Sequence, residues 1–250
     1  MKRMIYRIAK LLNHNSFIGI ESGAKQECLI MGKGIAFGKK IGQTIEVPQD
    51  ARIYSLKELT DRGDAREIIN SVSPVCLELA NEILREAEAE FGDIDRSILF
   101  PIADHLDFAI RRLQRGEQIS NPLTEDIRIL FYKEYKVAGC IAPMLKEKFQ
   151  IELDEHETGY IALHVHSAIV DEKVSQAMEI ARTVRECISL VEKETGNSID
   201  VMSLAYNRLM NHVRYMVARA IHGEKLKMNL NDYMLSLIHI SEPTRLALIS

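Results

Sequence analysis

The sequence predicts a multidomain fold in which a small all-β antiparallel domain is followed by all-α helical bundles. Residues 1–60 alternate apolar and polar side chains and contain Gly-rich turns, a pattern typical of strands. After Asp64, apolar residues recur at the three- and four-residue spacing of helices. The chain has 250 residues, of which 46% are hydrophobic, so it is long enough for two or three domains with their own cores.

Four strands are expected in the first part of the chain, at Met4–Leu12, Ser16–Glu21, Glu27–Met31 and Thr44–Val47. The second and third flank the turn Ser22-Gly23, which indicates a hairpin, and Pro48 follows the fourth. A sheet of roughly fifty residues is marginal alone, so one face is expected to be buried in a homodimer.

Five helices are expected in the rest of the chain. Their predicted extents are Pro74 to Gly92, Ile98–Leu113 with an end at Gly116, Thr124–Ala138, Asp154–Ala168 and Val174–Glu194. Ser73-Pro74 is typical of a helix start, because proline at the first turn lacks an N–H that would have no partner there. Asp154 and Glu157 have the spacing of an N-cap and its capping-box partner.

An internal repeat links two helical segments. Asp104–Ile110 aligns without gaps on Asn211–Val217, and both copies are followed by Gly-Glu. A counterpart of His164 would fall near position 271, so the second copy is expected to be C-terminally truncated. The apolar faces of its helices are then expected to lack partners, at Ile180, Val184, Leu190 and Leu209.

The predicted domains are 1–60, 65–171, a partial second bundle at 174–234, and a tail at 235–250. Residues 235–245 resemble the translation of a common sequencing adapter, so 235–250 is interpreted as a non-native read-through tail and excluded from fold reasoning.

Charge and cysteine usage narrow the function classes. Residues 1–60 hold ten Lys and Arg against five Asp and Glu, whereas the remainder holds 22 against 31. A basic head predicts an anionic partner for that part alone, because nucleic-acid affinity comes largely from neutralised phosphates. The four cysteines have no metal-like spacing, and no apolar run is long enough to span a bilayer. These features predict a cytoplasmic protein without metal, cofactor or membrane insertion.

The most informative segment is Met31–Gly42, which contains four glycines, three lysines and Phe37. For an isolated motif of this kind, a Gly-Lys turn on a solvated surface is the preferred explanation. Together with the preceding K-L-L-N-H-N-S of residues 10–16, however, the segment resembles the RNA-binding domain of the BglG/SacY-type transcriptional antiterminators.

That resemblance implies RNA contacts from Lys10, Asn15, Gly32, Lys33 and Phe37. Each residue has suitable chemistry. Lysines neutralise phosphate, the Asn15 amide can donate and accept at base or 2′-OH edges, and Gly32 permits close backbone approach. Phe37 presents a flat face on which an unpaired base can stack.

Two helical motifs resemble the phosphotransferase regulation domain of the same family. D-H-L-D-F-A contains His105, and G-Y-I-A-L-H contains His164. A histidine on an amphipathic helix is usually a surface or core residue, and His166 is interpreted as structural. The resemblance implies phosphorylation of His105, His164 and the repeated His212, with Asp104 in support. It also implies donors from the sugar phosphotransferase system, namely the phosphocarrier protein HPr and a sugar-specific transporter (enzyme II).

The preferred hypothesis is a sugar-responsive transcriptional antiterminator, not an enzyme, that binds an RNA hairpin overlapping a terminator. One alternative is a DNA-binding activator with the same regulation domains, which would require a helix-turn-helix head. Another is a helical His/Asp metal-dependent phosphohydrolase that uses Asp104, His105 and His164. The sequence does not identify the sugar or the RNA.

Overall fold

The computed structural model describes residues 4–57, 59–60, 63–170, 172–196, 199, 203–221 and 223. The chain divides into two units, residues 1–198 and 199–250. The first unit contains a β-sheet and eight described α-helices, and the second contains one described helix, Leu204–Ile221. The predicted tail at 235–250 lies outside the described residues.

The sheet has five antiparallel strands in the order β4-β1-β2-β3-β5. They are β1 (Ile5–Asn13), β2 (Ser16–Glu21), β3 (Glu27–Met31), β4 (Thr44–Glu46) and β5 (Arg52–Ser55). The bounds of β2 and β3 are those predicted. Strand β1 is shifted by one residue at both ends, and β4 ends one residue earlier than predicted. Strand β5 was not predicted; it is held by pairing with β3 rather than by a neighbouring hairpin. A short ladder between Leu59–Thr60 and Gly63–Asp64 follows the sheet.

The core of the sheet comes from alternate positions of its strands, because successive side chains point to opposite faces. It consists of Tyr6, Ile8, Phe17, Cys28, Ile30, Ala36, Ile45 and Val47. Gly19 lies on β2 directly beside this cluster, where there is no room for a side chain.

Replacing Gly19 by alanine should destabilise the protein by about 1–3 kcal/mol through overpacking. A Cβ at this position would lie 2.7 Å from Cδ1 of Ile30, 2.9 Å from Cε2 of Phe17 and 3.2 Å from Cβ of Tyr6. Urea unfolding measures the loss. Gly23→Ala is the matched control, since nothing lies within 4 Å of its added Cβ, and equal stability of the two variants would contradict this packing.

The helices of the first unit follow the sheet in sequence order. They are α1 (Ala65–Ser71), α2 (Pro74–Phe91), α3 (Leu99–Leu113), α4 (Thr124–Leu130), α5 (Tyr132–Ala138), α6 (Ala142–Phe149), α7 (Glu155–Ile169) and α8 (Val174–Thr195). The predicted start of α2 is confirmed, because the Ser73 side chain accepts a hydrogen bond from the backbone N–H of Val75. Gly92 ends the helix with φ 87°.

The predicted helix over 124–138 is wrong in one respect, since it breaks into α4 and α5. Phe131 separates them with φ −120° and buries its ring, whose centroid lies 4.5 Å from that of His166. Burying this ring against α7 is a tertiary requirement that helical periodicity does not reveal. The short helices α1 and α6 were also not predicted.

Helix α8 packs against α7 and α4, so the expectation that its apolar face lacks partners is wrong at Ile180 and Val184. Both side chains are buried, whereas Leu190 near the end of the helix is 58% exposed. The helix follows α7 after a short connection and closes on the same bundle. In the described part of the chain, none of the helices combines the length and apolarity needed to cross a membrane.

Candidate functional site

The two predicted phosphorylation sites of the first unit meet in one cleft. His105 lies on α3 and His164 on α7, and their ring centroids are 5.5 Å apart. Tyr160, one turn before His164, has its ring centroid 5.9 Å from that of His105. The packing of α3 on α7 therefore joins two motifs that are 59 positions apart in sequence.

A buried ion pair lies beside His105. The Glu157 carboxylate is fully buried; its Oε2 lies 3.2 Å from Nε2 of His105, and its Oε1 forms an ion pair with the Arg112 guanidinium. Asp154 caps α7 as predicted, accepting from the Glu157 N–H at 2.8 Å. The Glu157 side chain, however, lies against Arg112 and His105. These contacts, rather than the predicted capping-box contact, are its main ones.

Glu157 and Arg112 were not predicted as site residues, although their positions in the sequence carry a signal. Arg112 follows His105 by seven positions, and Glu157 precedes His164 by seven. Seven residues are close to two helical turns, so each charged residue shares a helix face with its histidine. A charged residue two turns from each motif histidine is therefore the signal that indicates Arg112 and Glu157.

The cleft beside these residues is open to solvent and has a volume of about 1010 Å³. His105, His164, Tyr160, Arg112 and Phe108 are among the residues that line it. The Arg112 guanidinium also lies 5.3 Å from the centroid of the exposed Phe108 ring. The cleft thus offers imidazole nitrogens next to a fixed positive charge, which suits the transfer of a phosphoryl group.

The remaining predicted residues of the helical part have different surroundings. Asp104 is half-buried, whereas Asp107 accepts a hydrogen bond from the Ser73 N–H at 2.9 Å and so anchors the start of α2. His166 is buried, with Nδ1 3.0 Å from Oε1 of Glu134. His212 lies exposed on α9 (Leu204–Ile221), in the second unit.

Four of the predicted RNA-binding residues lie in or beside the turn that follows β3, namely Asn15, Gly32, Lys33 and Phe37. Asn15 holds this turn, because its backbone carbonyl accepts from the Gly32 N–H at 2.9 Å and its Oδ1 accepts from the Gly34 N–H at 2.8 Å. Gly34 has φ +66°, a conformation that favours glycine. Lys33 is exposed beside the turn, and Phe37 is 69% exposed.

Lys10 and Asn15 also contact the helices. The Lys10 Nζ donates to Oδ1 of Asn70 at 2.7 Å, and the side-chain amides of Asn13 and Asn15 donate to Oε1 of Glu78 at 3.0 and 2.9 Å. Part of the predicted RNA-binding surface therefore lies against α1 and α2. The ring of the exposed Phe37 lies edge-on to that of His14, with 5.3 Å between the ring centroids.

Comparisons with known proteins match both parts of this architecture. The model of the CAT RNA binding domain matches residues 6–62, and that of the PRD domain matches residues 66–168. The transcription antiterminator LicT of Bacillus subtilis (strain 168) is 27% identical over 233 residues, which cover 93% of this chain and 83% of LicT. The chain belongs to the CAT–PRD antiterminator family. Below, the first 60 residues are called the CAT head and the helical bundle that follows is called the PRD.

Other relatives match over most of this chain. The beta-glucoside operon antiterminator of Dickeya chrysanthemi is 27% identical over 218 residues, covering 86% of this chain and 76% of that protein. Protein GlcT of Staphylococcus epidermidis is 27% identical over 236 residues, covering 90% and 80%. The crystal structure of GlcT CAT-PRDI superposes with a TM-score of 0.56 at 28% identity, covering 66% of this chain and 99% of that one.

Neither alternative hypothesis gains support from the geometry. The first part of the chain is an antiparallel sheet, not the helix-turn-helix that a DNA-binding activator would require. Within the described ranges, no group of three His, Cys, Asp or Glu side chains is arranged to hold a metal ion.

Proposed function

We propose that this protein is a sugar-responsive transcriptional antiterminator, controlled by histidine phosphorylation and acting in the cytoplasm as a homodimer. Its CAT head binds an RNA hairpin that overlaps a terminator, and its PRD receives phosphoryl groups from HPr or a sugar-specific transporter. The observation that carries this proposal is the joint presence of a CAT head and a PRD cleft in which His105 and His164 face each other at 5.5 Å.

The test is transcription in vitro through the leader of the operon that this protein controls. Adding the purified chain should raise read-through past the terminator, and changing the bases in the loops of the hairpin should abolish the gain. Unchanged read-through, together with no binding to the leader RNA, would refute the function.

In the CAT head, Phe37 is the residue proposed to stack on an RNA base. Its ring is exposed beside a basic loop, so it can stack on an unpaired base, and Phe37→Ala should weaken RNA binding by about 1–3 kcal/mol. Filter binding to a leader hairpin with internal loops measures the change. Ile41→Ala is the control, because Ile41 is 67% exposed in the same loop but has no flat ring. Equal losses in both variants would remove Phe37 from the base-stacking role.

The PRD cleft favours one nitrogen of His105 as the phosphate acceptor. A carboxylate 3.2 Å from Nε2 stabilises the tautomer that carries its proton there, which leaves the Nδ1 lone pair as the nucleophile. In the transfer, the phosphorus–nitrogen bond of the donor phosphohistidine breaks while a new one forms at Nδ1. The imidazolium that results is stabilised by Glu157. The protein is thus a substrate of phosphorylation and has no turnover of its own.

The product also explains how the signal can change the packing. A phosphoryl group adds about −1.5 to −2 charge and three acceptor oxygens next to Arg112. Arg112 is paired with the fully buried Glu157, so phosphate and carboxylate compete for one guanidinium. We expect this competition to shift α3 against α7 and to alter contacts between protomers. The same proposal includes a first regulation domain at residues 65–171 and a partial second one at residues 174–234. It also includes phosphorylation of His212.

A further inference from the structure

We propose that Glu78 on α2 occupies the side-chain amides of Asn15, a predicted RNA contact, and of its neighbour Asn13, so that the PRD and the RNA compete for these amides. The inference rests on the proposed function and adds the means by which the PRD regulates it. It concerns a surface of the PRD that is separate from the histidine cleft.

The contact is specific to one carboxylate. Glu78 Oε1 accepts from the side-chain amides of both Asn13 and Asn15, at 3.0 and 2.9 Å, while its Oε2 accepts from Lys148 at 2.9 Å. The two amides thereby donate to the carboxylate the hydrogen bonds that an RNA base edge, 2′-oxygen or phosphate would otherwise accept. Lys10, another predicted RNA contact, is bonded to Asn70 of α1.

The carboxylate is held in its charged form. Burial by itself would raise the pKa of Glu78, but the hydrogen bonds from Asn15, Lys148 and Asn13 outweigh this effect and keep the pKa below its usual value. The side chain is only 16% exposed. An RNA phosphate brought to this position would meet a fixed negative charge, so RNA and Glu78 cannot occupy the asparagines together.

Further contacts keep the two parts together along α2. The Tyr54 hydroxyl of β5 donates to Oδ1 of Asn81 at 2.7 Å, and burial raises the pKa of Tyr54, so this hydroxyl remains a donor. Arg52 forms an ion pair with Glu88, which lies about two helical turns beyond Asn81 on α2. The unpredicted strand β5 is therefore part of the docking surface. Releasing the asparagines requires the head to move away from α2, or Glu78 to rotate out of the contact.

The test compares RNA binding by full-length variants, with a hairpin that carries two internal loops and is copied from the operon leader as the probe. Glu78→Ala should tighten binding about ten-fold, the gain expected if nine molecules in ten are closed. Glu78→Gln, which keeps an acceptor oxygen but loses the charge, should give a smaller gain. Glu82→Ala is the matched control, because Glu82 lies on the same helix near the same surface but pairs with Arg85.

A gain in Glu82→Ala equal to that in Glu78→Ala would mean that simple removal of negative charge explains the result, and would overturn the inference. Amide hydrogen exchange without RNA gives an independent readout. Peptides covering residues 10–15 and 32–34 should exchange faster in Glu78→Ala than in the parent or in Glu82→Ala. If the parent and Glu78→Ala bind RNA equally, the inference alone fails. If no variant binds RNA, the proposed function fails.

Discussion

Replacing Glu157 by alanine should lower the free energy of unfolding by about 3–5 kcal/mol, the usual loss when one partner of a buried ion pair is removed. Glu157 is fully buried, and its carboxylate is the counter-ion of Arg112, whose side chain is only 13% exposed. Without it, the guanidinium stays in a poorly hydrated position with no opposite charge, and His105 loses the oxygen beside its Nε2. The same change should therefore weaken both the bundle and the site.

Chemical denaturation of the full chain measures this loss, and the neighbouring Glu155→Ala serves as the control. Glu155 is exposed on the same turn of α7, so its removal should change the stability by about 0.5 kcal/mol or less. The double change Arg112→Met with Glu157→Leu should recover most of the loss, because apolar residues of similar size can replace a buried ion pair. A stable Glu157→Ala variant would show that the pair contributes little to the fold.

Removing both cleft histidines should abolish phosphorylation of the PRD. The parent protein, incubated with phosphoenolpyruvate, the general phosphotransferase proteins and the transporter domain, should acquire label that is lost in acid and retained in alkali, as phosphohistidine is. The His105→Ala, His164→Ala variant should retain only the label at His212. In the parent, label on His105 is expected at Nδ1, because Glu157 engages Nε2.

Controls separate loss of the acceptor from loss of structure. His14→Ala alters an exposed histidine of the CAT head and should label like the parent. The single variants His105→Ala and His164→Ala distinguish the two acceptors, and circular dichroism reports whether each variant is folded. Full labelling of the double variant, once His212 is also replaced, would show that the acceptors lie elsewhere in the chain.

Local patterns predicted the parts of the fold that depend on short-range physics. Strands β2 and β3 share a tight turn, and α2 is bounded by Ser73 and Gly92, so their limits are visible in adjacent residues. Strand β5 and the break at Phe131 depend on distant partners, β3 and His166 respectively. Nothing in the sequence next to them indicates those partners, so both were missed.

The candidate residues divide in the same way. His105 and His164 were found because each is part of a recognisable motif, and the resemblance of those motifs gave them a role. Glu157 and Arg112 were missed because each looks like an ordinary charge on an amphipathic helix. Only the packing of α3 on α7 makes them a pair, and only burial turns that pair into a strong interaction.

The sequence by itself determined the order of the parts, a basic β-sheet head followed by acidic helices, because periodicity and charge are local properties of the chain. It also determined the residue types around Gly32 and the two histidines. The tertiary structure decided what those residues face. Asn15 lies against Glu78 and His105 lies against Glu157, and both contacts join segments more than 50 residues apart. Such pairings depend on how whole helices and sheets bury their apolar faces, and this is a property of the entire fold rather than of any short segment.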